Sequence, residues 1–138
     1  MNALKLASII LLTAAGAASA QAPAPDRLVP PVAPNGTVMA TVDLAAEFPQ
    51  MPQLKGYTFT QTISTVAPGT GRPLHSHAGK PEIVRILSGT LTDARNGGAP
   101  VAYGPGSTLI NAKGTQHMWA NLGTEPVVFI ATAINSPQ

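Results

Sequence analysis

The chain has 138 residues, with 8 Lys and Arg against 6 Asp and Glu and no cysteine. The missing cysteine excludes disulfides, zinc–thiolate sites, thiol catalysis and a lipid-modified N-terminal cysteine. Charged residues make up only 10% of the chain, and 13 Gly with 14 Pro favour one domain of short strands and many turns over long helices. The basic residues after the leader, Arg27, Lys55, Arg72, Lys80, Arg85, Arg95 and Lys113, are scattered singly. They read as a solvated surface, and no nucleic-acid partner is inferred from them.

Residues 1–20 read as a secretory signal: Lys5, an apolar run from Leu6 to Ala18, then Ala18-Ser19-Ala20 as a small-x-small cleavage site. Cleavage is expected after Ala20, with Ala22 the second choice. The apolar run is shorter than the roughly 20 residues that cross a bilayer, so no stable membrane anchor is expected after cleavage. The expected location is periplasmic or secreted. Residues 21–36 are rich in Pro and Ala without apolar periodicity and read as an extended tether. The folded domain is then expected over 37–138.

Thr37 to Val42 is a short strand candidate, and Asp43 can cap a single helical turn through Glu47 that ends at Phe48-Pro49. Tyr57 to Val66 alternates, with Tyr57, Phe59, Gln61 and Ile63 expected on the buried face. In that row Gln61 is a candidate pocket group, although a structural amide paired with a neighbour is the alternative. Glu82 to Ser88 is a strand with Glu82, Val84 and Ile86 inward and Ile83 and Leu87 outward. Those two outer aliphatics predict cover from a second sheet or a second subunit, hence a homodimer. Thr90–Ala94 and Pro100–Tyr103 pair about Asn96-Gly97-Gly98. Ser107–Asn111, Gln116–Asn121 and Val127–Ile134 complete eight to ten short strands, the pattern of a Greek-key sandwich or small barrel.

Three histidines are all the chain has: His75, His77 and His117. His75 and His77 are two residues apart, so in an extended segment both rings share a face, with about 3.3 Å of rise per residue between them. Ala78-Gly79-Lys80-Pro81 is a turn by composition, which returns Glu82 close to His77. With His117 the set becomes three imidazoles and one carboxylate. It suits Fe(II), Mn(II), Ni(II), Zn(II) or Cu(II) and leaves coordination positions open to water, O₂ or a substrate. Tyr57, Gln61 and Trp119 are candidate pocket residues, Trp119 because it lies two residues from His117 on the same face. The remaining acids, Asp26, Asp43, Glu47, Asp93 and Glu125, fall in the tether, turns or hairpin, so no buried carboxylate is expected as a second acid or base.

Gly69, His75, His77, Glu82 and Gly89 match G-x5-H-x-H-x4-E-x6-G, the first motif of the cupin family, at every fixed position. Gly106, Gly114, His117 and Asn121 match the second, G-x5-P-x-G-x2-H-x3-N, with Ala112 standing in the place of Pro. The chain thus resembles the small bacterial single-domain cupins over roughly Tyr57 to Ile134. The resemblance implies an all-β jelly-roll barrel (double-stranded β-helix) of six to eight strands, often dimeric, with one metal held by His75, His77, Glu82 and His117. It does not imply a reaction. A metal-dependent enzyme on a small organic molecule, dioxygenase-like by preference, is expected first. A non-catalytic small-molecule binding protein and a structural barrel that keeps its metal for stability are the alternatives.

Overall fold

The computed structural model describes residues 35–137, so the expected signal and nearly all of the tether lie outside the described residues. Nine strands follow in chain order: β1 (Asn35–Asp43), β2 (Thr58–Val66), β3 (Gly71–Ser76), β4 (Glu82–Ser88), β5 (Leu91–Arg95), β6 (Val101–Tyr103), β7 (Thr108–Asn111), β8 (Gln116–Ala120) and β9 (Val127–Asn135). One helical turn, α1 (Leu44–Glu47), and a 3₁₀ turn at Pro52–Leu54 are the described departures from strand. Asp43 caps α1 through its carboxylate, which accepts from the Ala45 N–H at 2.9 Å.

The strands form two antiparallel sheets, β1-β2-β9-β4-β7 and β3-β8-β5-β6. The two leaves of the sandwich enclose Val66, Val84, Ile86, Leu91, Leu109, Trp119, Val127 and Phe129. Every second residue of β4 and β9 points into that core, as the two-residue repeat of a strand requires. The jelly-roll expectation is met, with nine strands where the resemblance implied six to eight. Strand β1 also begins two residues earlier than the sequence pattern placed it, at Asn35.

Two glycines fix the ends of the strands that carry the site. At Gly89 φ is +72°, and a Cβ would come within 2.6 Å of the Pro126 carbonyl oxygen, so only Gly turns the chain from β4 to β5. At Gly71 a Cβ would lie 2.3 Å from the Trp119 carbonyl oxygen, so glycine lets β3 approach β8. The loop from β5 to β6 begins with a tight turn at Asn96 and Gly97, both at positive φ (50° and 75°), which the Gly98 N–H closes on the Arg95 carbonyl at 2.7 Å.

The parity of β2 runs opposite to the sequence reading. Ser64 and Val66 are buried and Thr62 faces the interior with them, while Phe59 stays 42% exposed on the outer surface. The more apolar row faces outward because the outer surface of this sheet is itself apolar: Phe59, Ile83, Ile110 and Ile134 line one shallow groove there.

Candidate metal centre

Three elements bring the histidines together. His75 on β3 is the direct cross-strand partner of His117 on β8. His77 follows the end of β3, held by its N–H to the Thr115 carbonyl at 3.0 Å and by the Lys80 N–H to its own carbonyl at 3.3 Å. The three Nε2 atoms then lie 3.2 Å (His75–His77), 2.9 Å (His77–His117) and 3.1 Å (His75–His117) apart. His77 and His117 are buried, and His75 is half-buried toward the opening.

The proton positions follow from the second nitrogen of each ring. Nδ1 of His75 sits 2.8 Å from the Pro73 carbonyl oxygen, and Nδ1 of His77 is 2.9 Å from that of Lys80. Nδ1 of His117 is 2.6 Å from Asp93 Oδ1. A carbonyl or carboxylate oxygen only accepts, so each Nδ1 donates, and each neutral ring is left with a bare lone pair on Nε2. Three lone pairs within 3.2 Å of one another repel unless a cation lies among them. Their spacing fits one: points about 2.1 Å from a common centre, the ordinary metal–imidazole distance, are about 3.0 Å apart when they subtend right angles. His75, His77 and His117 can therefore hold a metal ion. Burial holds the His75 pKa below its usual 6.5. The Pro73 hydrogen bond opposes that shift, and the nearby charges of His117, Arg72 and His77 reinforce it, so the ring stays neutral and available as a donor.

Glu82 opens β4 beside this group, with Oε1 3.7 Å from His77 Nε2. Its direct partner on β7 is Asn111, whose Nδ2 donates to Oε1 at 2.9 Å. Asn111 is 1% exposed, and its Oδ1 is buried without a partner. Behind His117, Asp93 on β5 gives its other oxygen to Arg95 Nε, and Arg95 Nη1 donates across to the Ile110 carbonyl of the opposite sheet at 2.8 Å. Asp93 is 1% exposed, so the expectation that no acid beyond Glu82 is buried is overturned. The physical reason is pairing: one carboxylate satisfied by a guanidinium and an imidazole N–H is no longer costly to bury.

A cavity of about 420 Å³ opens onto the histidines, its lining made apolar by Leu91, Leu109, Trp119 and Phe129 and polar by Thr62, Ser64 and Ser76. Of the candidate pocket residues, Trp119 lines it. Gln61 and Tyr57 do not. Gln61 lies on the outer face, where Nε2 donates to Thr132 Oγ1 at 3.3 Å, because the parity of β2 is reversed; Tyr57 precedes β2 and stays in the loop that supports α1. Asn111, Asp93 and Arg72 were missed by the sequence reading. Asp93 and Arg95 two apart on a strand were a legible ion pair; Asn111 carried no signal of its own.

Arg72 also lines the cavity, against the expectation that it is a solvated surface residue. It pairs with Trp119 and His75 pairs with His117, so three residues of β3 span two of β8. This register shift, at Pro73 where no ladder N–H exists, places Arg72 on the face of His75 although the two are an odd number apart.

Residues 62–133 match the family described as Cupin domain. No curated protein matches the chain. Among solved structures, a protein with a double-stranded β-helix domain from Klebsiella pneumoniae subsp. pneumoniae is similar at 18% identity and TM-score 0.57, over 86% of this chain and 92% of that one. A predicted oxalate decarboxylase from Thermotoga maritima is similar at 25% identity and TM-score 0.50, over 59% of this chain and 83% of that one. The Schizosaccharomyces pombe Cnp3 cupin domain is similar at 18% identity and TM-score 0.52; the match covers 56% of this chain and about half, 53%, of that one.

Proposed function

The chain belongs to the cupin family, and from that premise we propose that it is an exported mononuclear metal enzyme in which His75, His77, His117 and Glu82 hold one divalent ion and a small organic molecule reacts beside it. The observation that supports this most is the convergence of three Nε2 lone pairs whose Nδ1 protons are all committed elsewhere. Glu82, the acid in the cavity lining, would complete the set from beside the three converging histidines, 3.7 Å from His77 Nε2 and steadied by Asn111.

When bound, such an ion supplies Lewis acidity and an open position for water, O₂ or a substrate oxygen, and a dioxygenase-like oxidation is the preferred activity. The rest falls to the chain. Asp93 fixes the tautomer and ring orientation of His117, and the Pro73 and Lys80 carbonyls do the same for His75 and His77. Trp119, Phe129 and Leu91 line the cavity with apolar surface that excludes water, which strengthens every electrostatic contact at the site. Thr62, Ser64 and Ser76 offer hydroxyls that can orient a polar substrate.

A second reading, a metal-dependent binding protein without turnover, is favoured by one observation. Apart from the histidines and Glu82, the ionisable side chains lining the cavity are Arg72 and Lys80, so the lining holds no second carboxylate to pass protons to and from a substrate. Elemental analysis of purified protein, followed by O₂ uptake over small phenols, dicarboxylates and sugar acids, decides between the two. Uptake that needs an added substrate establishes the enzyme. Tight ligand binding with no product establishes the binding protein, and absence of metal from protein grown with all five candidate ions rejects both.

Export rests on the leader alone. The mature chain is expected to start at Gln21 and to be found in the periplasm or medium, which intact-mass measurement on fractionated cells checks.

A further inference from the structure

Two cationic side chains stand at the mouth of the cavity, and neither has a described partner. Arg72 and Lys80 both line it and are exposed to solvent, and among the described residues neither side chain makes an ion pair or hydrogen bond. Their backbones are not free to drift. Arg72 is held in the β3–β8 ladder opposite Trp119, and the Lys80 carbonyl accepts from Nδ1 of His77. The register shift at Pro73 is what turns Arg72 inward, and its charge reaches the histidines closely enough to contribute to the field at His75.

The charge of the site then has one sign. Three neutral imidazoles and one carboxylate around a divalent ion leave a net positive charge, and the rim adds two more. The single acid in the lining, Glu82, is already engaged by Asn111. A cationic or neutral guest would leave both rim charges without a counter-charge, whereas a carboxylate would meet the planar guanidinium fork in its preferred two-point geometry. The apolar part of the lining, Leu91, Leu109, Trp119 and Phe129, asks for an apolar body. At about 420 Å³ the cavity sits toward the small end of the roughly 300–1,000 Å³ usual for small-molecule sites.

We propose that the cavity takes a small carboxylic acid with an aromatic or short aliphatic body, its carboxylate held at the rim by Arg72 with help from Lys80 and its body directed toward the three histidines. This deepens the metal-centre reading and rests on it for the chemistry, while the seat itself is built from side chains that do not hold the ion.

The test compares benzoate with benzamide, which share shape and differ in charge, by calorimetric titration of the full mature chain loaded with Mn(II). Benzoate is expected to bind at least tenfold more tightly. In Arg72→Gln that preference should fall to less than threefold with one metal per chain retained, and in Arg72→Lys it should be intermediate. Lys80→Gln should reduce it by a smaller factor. Equal binding of the two probes by the wild-type protein, or a full preference surviving in Arg72→Gln, overturns the proposal. If the wild-type chain takes up no metal, the metal-centre reading fails on its own, and the same pair of probes on the metal-free chain judges the seat by the same criterion. Circular dichroism of each variant confirms that the β fold is kept.

Discussion

Asp93 on β5 reaches past one ladder position to accept, at 2.6 Å, the Nδ1 proton of His117 on β8. The contact joins a fully buried carboxylate to a buried imidazole and, through Arg95 and the Ile110 carbonyl, ties the centre to the opposite sheet. Substituting Asp93→Asn keeps the volume and removes the charge. Metal affinity is expected to drop about 10–100-fold, as for other partners behind a ligating histidine. Asp93→Ala should in addition destabilise the fold by about 1–3 kcal/mol, because Arg95 and His117 lose their acceptor. Chelator competition and urea unfolding separate the two effects. Unchanged metal affinity in Asp93→Asn would show that the contact serves folding only.

His75 is the most accessible of the three histidines, and its substitution disturbs the core least. His75→Ala is expected to retain no stoichiometric metal while its circular dichroism stays that of a β protein. Full metal occupancy in this variant would remove His75 from the ligand set.

Glu82 and Asn111 face each other across β4 and β7 and act as one unit through the 2.9 Å hydrogen bond. Glu82→Gln should weaken metal binding, Asn111→Ala should weaken it less, and the double variant should be no weaker than Glu82→Gln alone, since neighbours in one network are not additive. Additive losses would mean that Asn111 acts on the ion by another route.

The depressed pKa of His75 has a sign that can be checked in the metal-free protein. The unfolded chain takes up a proton at this residue near 6.5, the folded chain only at lower pH, so the unfolded state binds more protons in that interval. Stability is therefore expected to fall as pH drops below about 6.5 and to level off once the folded form is also protonated. In His75→Gln that slope should be shallower by the contribution of one proton, measured as the fall in Tm between buffers on either side of the interval. An identical slope in the variant would assign the effect to other groups.

On the outer face of the five-stranded sheet, Phe59, Ile83, Ile110 and Ile134 are all at least 39% exposed and share one groove. We propose that a second copy of the chain covers it. Light scattering should give a dimer, and Ile83→Lys with Ile110→Lys should give a monomer with the metal centre intact. A wild-type monomer at high concentration would end this reading. A stable contact of this kind buries about 800 Å² on each partner.

Much of the architecture was legible because its signals are local. Strands β4 to β9 follow from alternation and from the Gly, Pro and Asn residues between them, and the helical turn from the cap at Asp43. The three histidines were legible because their spacing, and their being the only ones, left few other arrangements. What escaped depends on neighbours distant in sequence. The face that β2 presents is set by which side the other sheet covers, and here the row with more apolar residues lost. Asp93 is buried because β8 and Arg95 satisfy it, which no inspection of β5 alone reveals. Arg72 points inward only because β3 carries an extra residue relative to β8, a fact of pairing rather than of composition.

That extra residue has a further implication. The sign of the charge guarding the opening is set by a count along the backbone as much as by the choice of an arginine. At the present spacing of three, a ladder without the extra residue would turn the guanidinium to the outside, whereas excising Leu74 as well would return it to the histidine face, so register and residue count together decide which molecules are admitted.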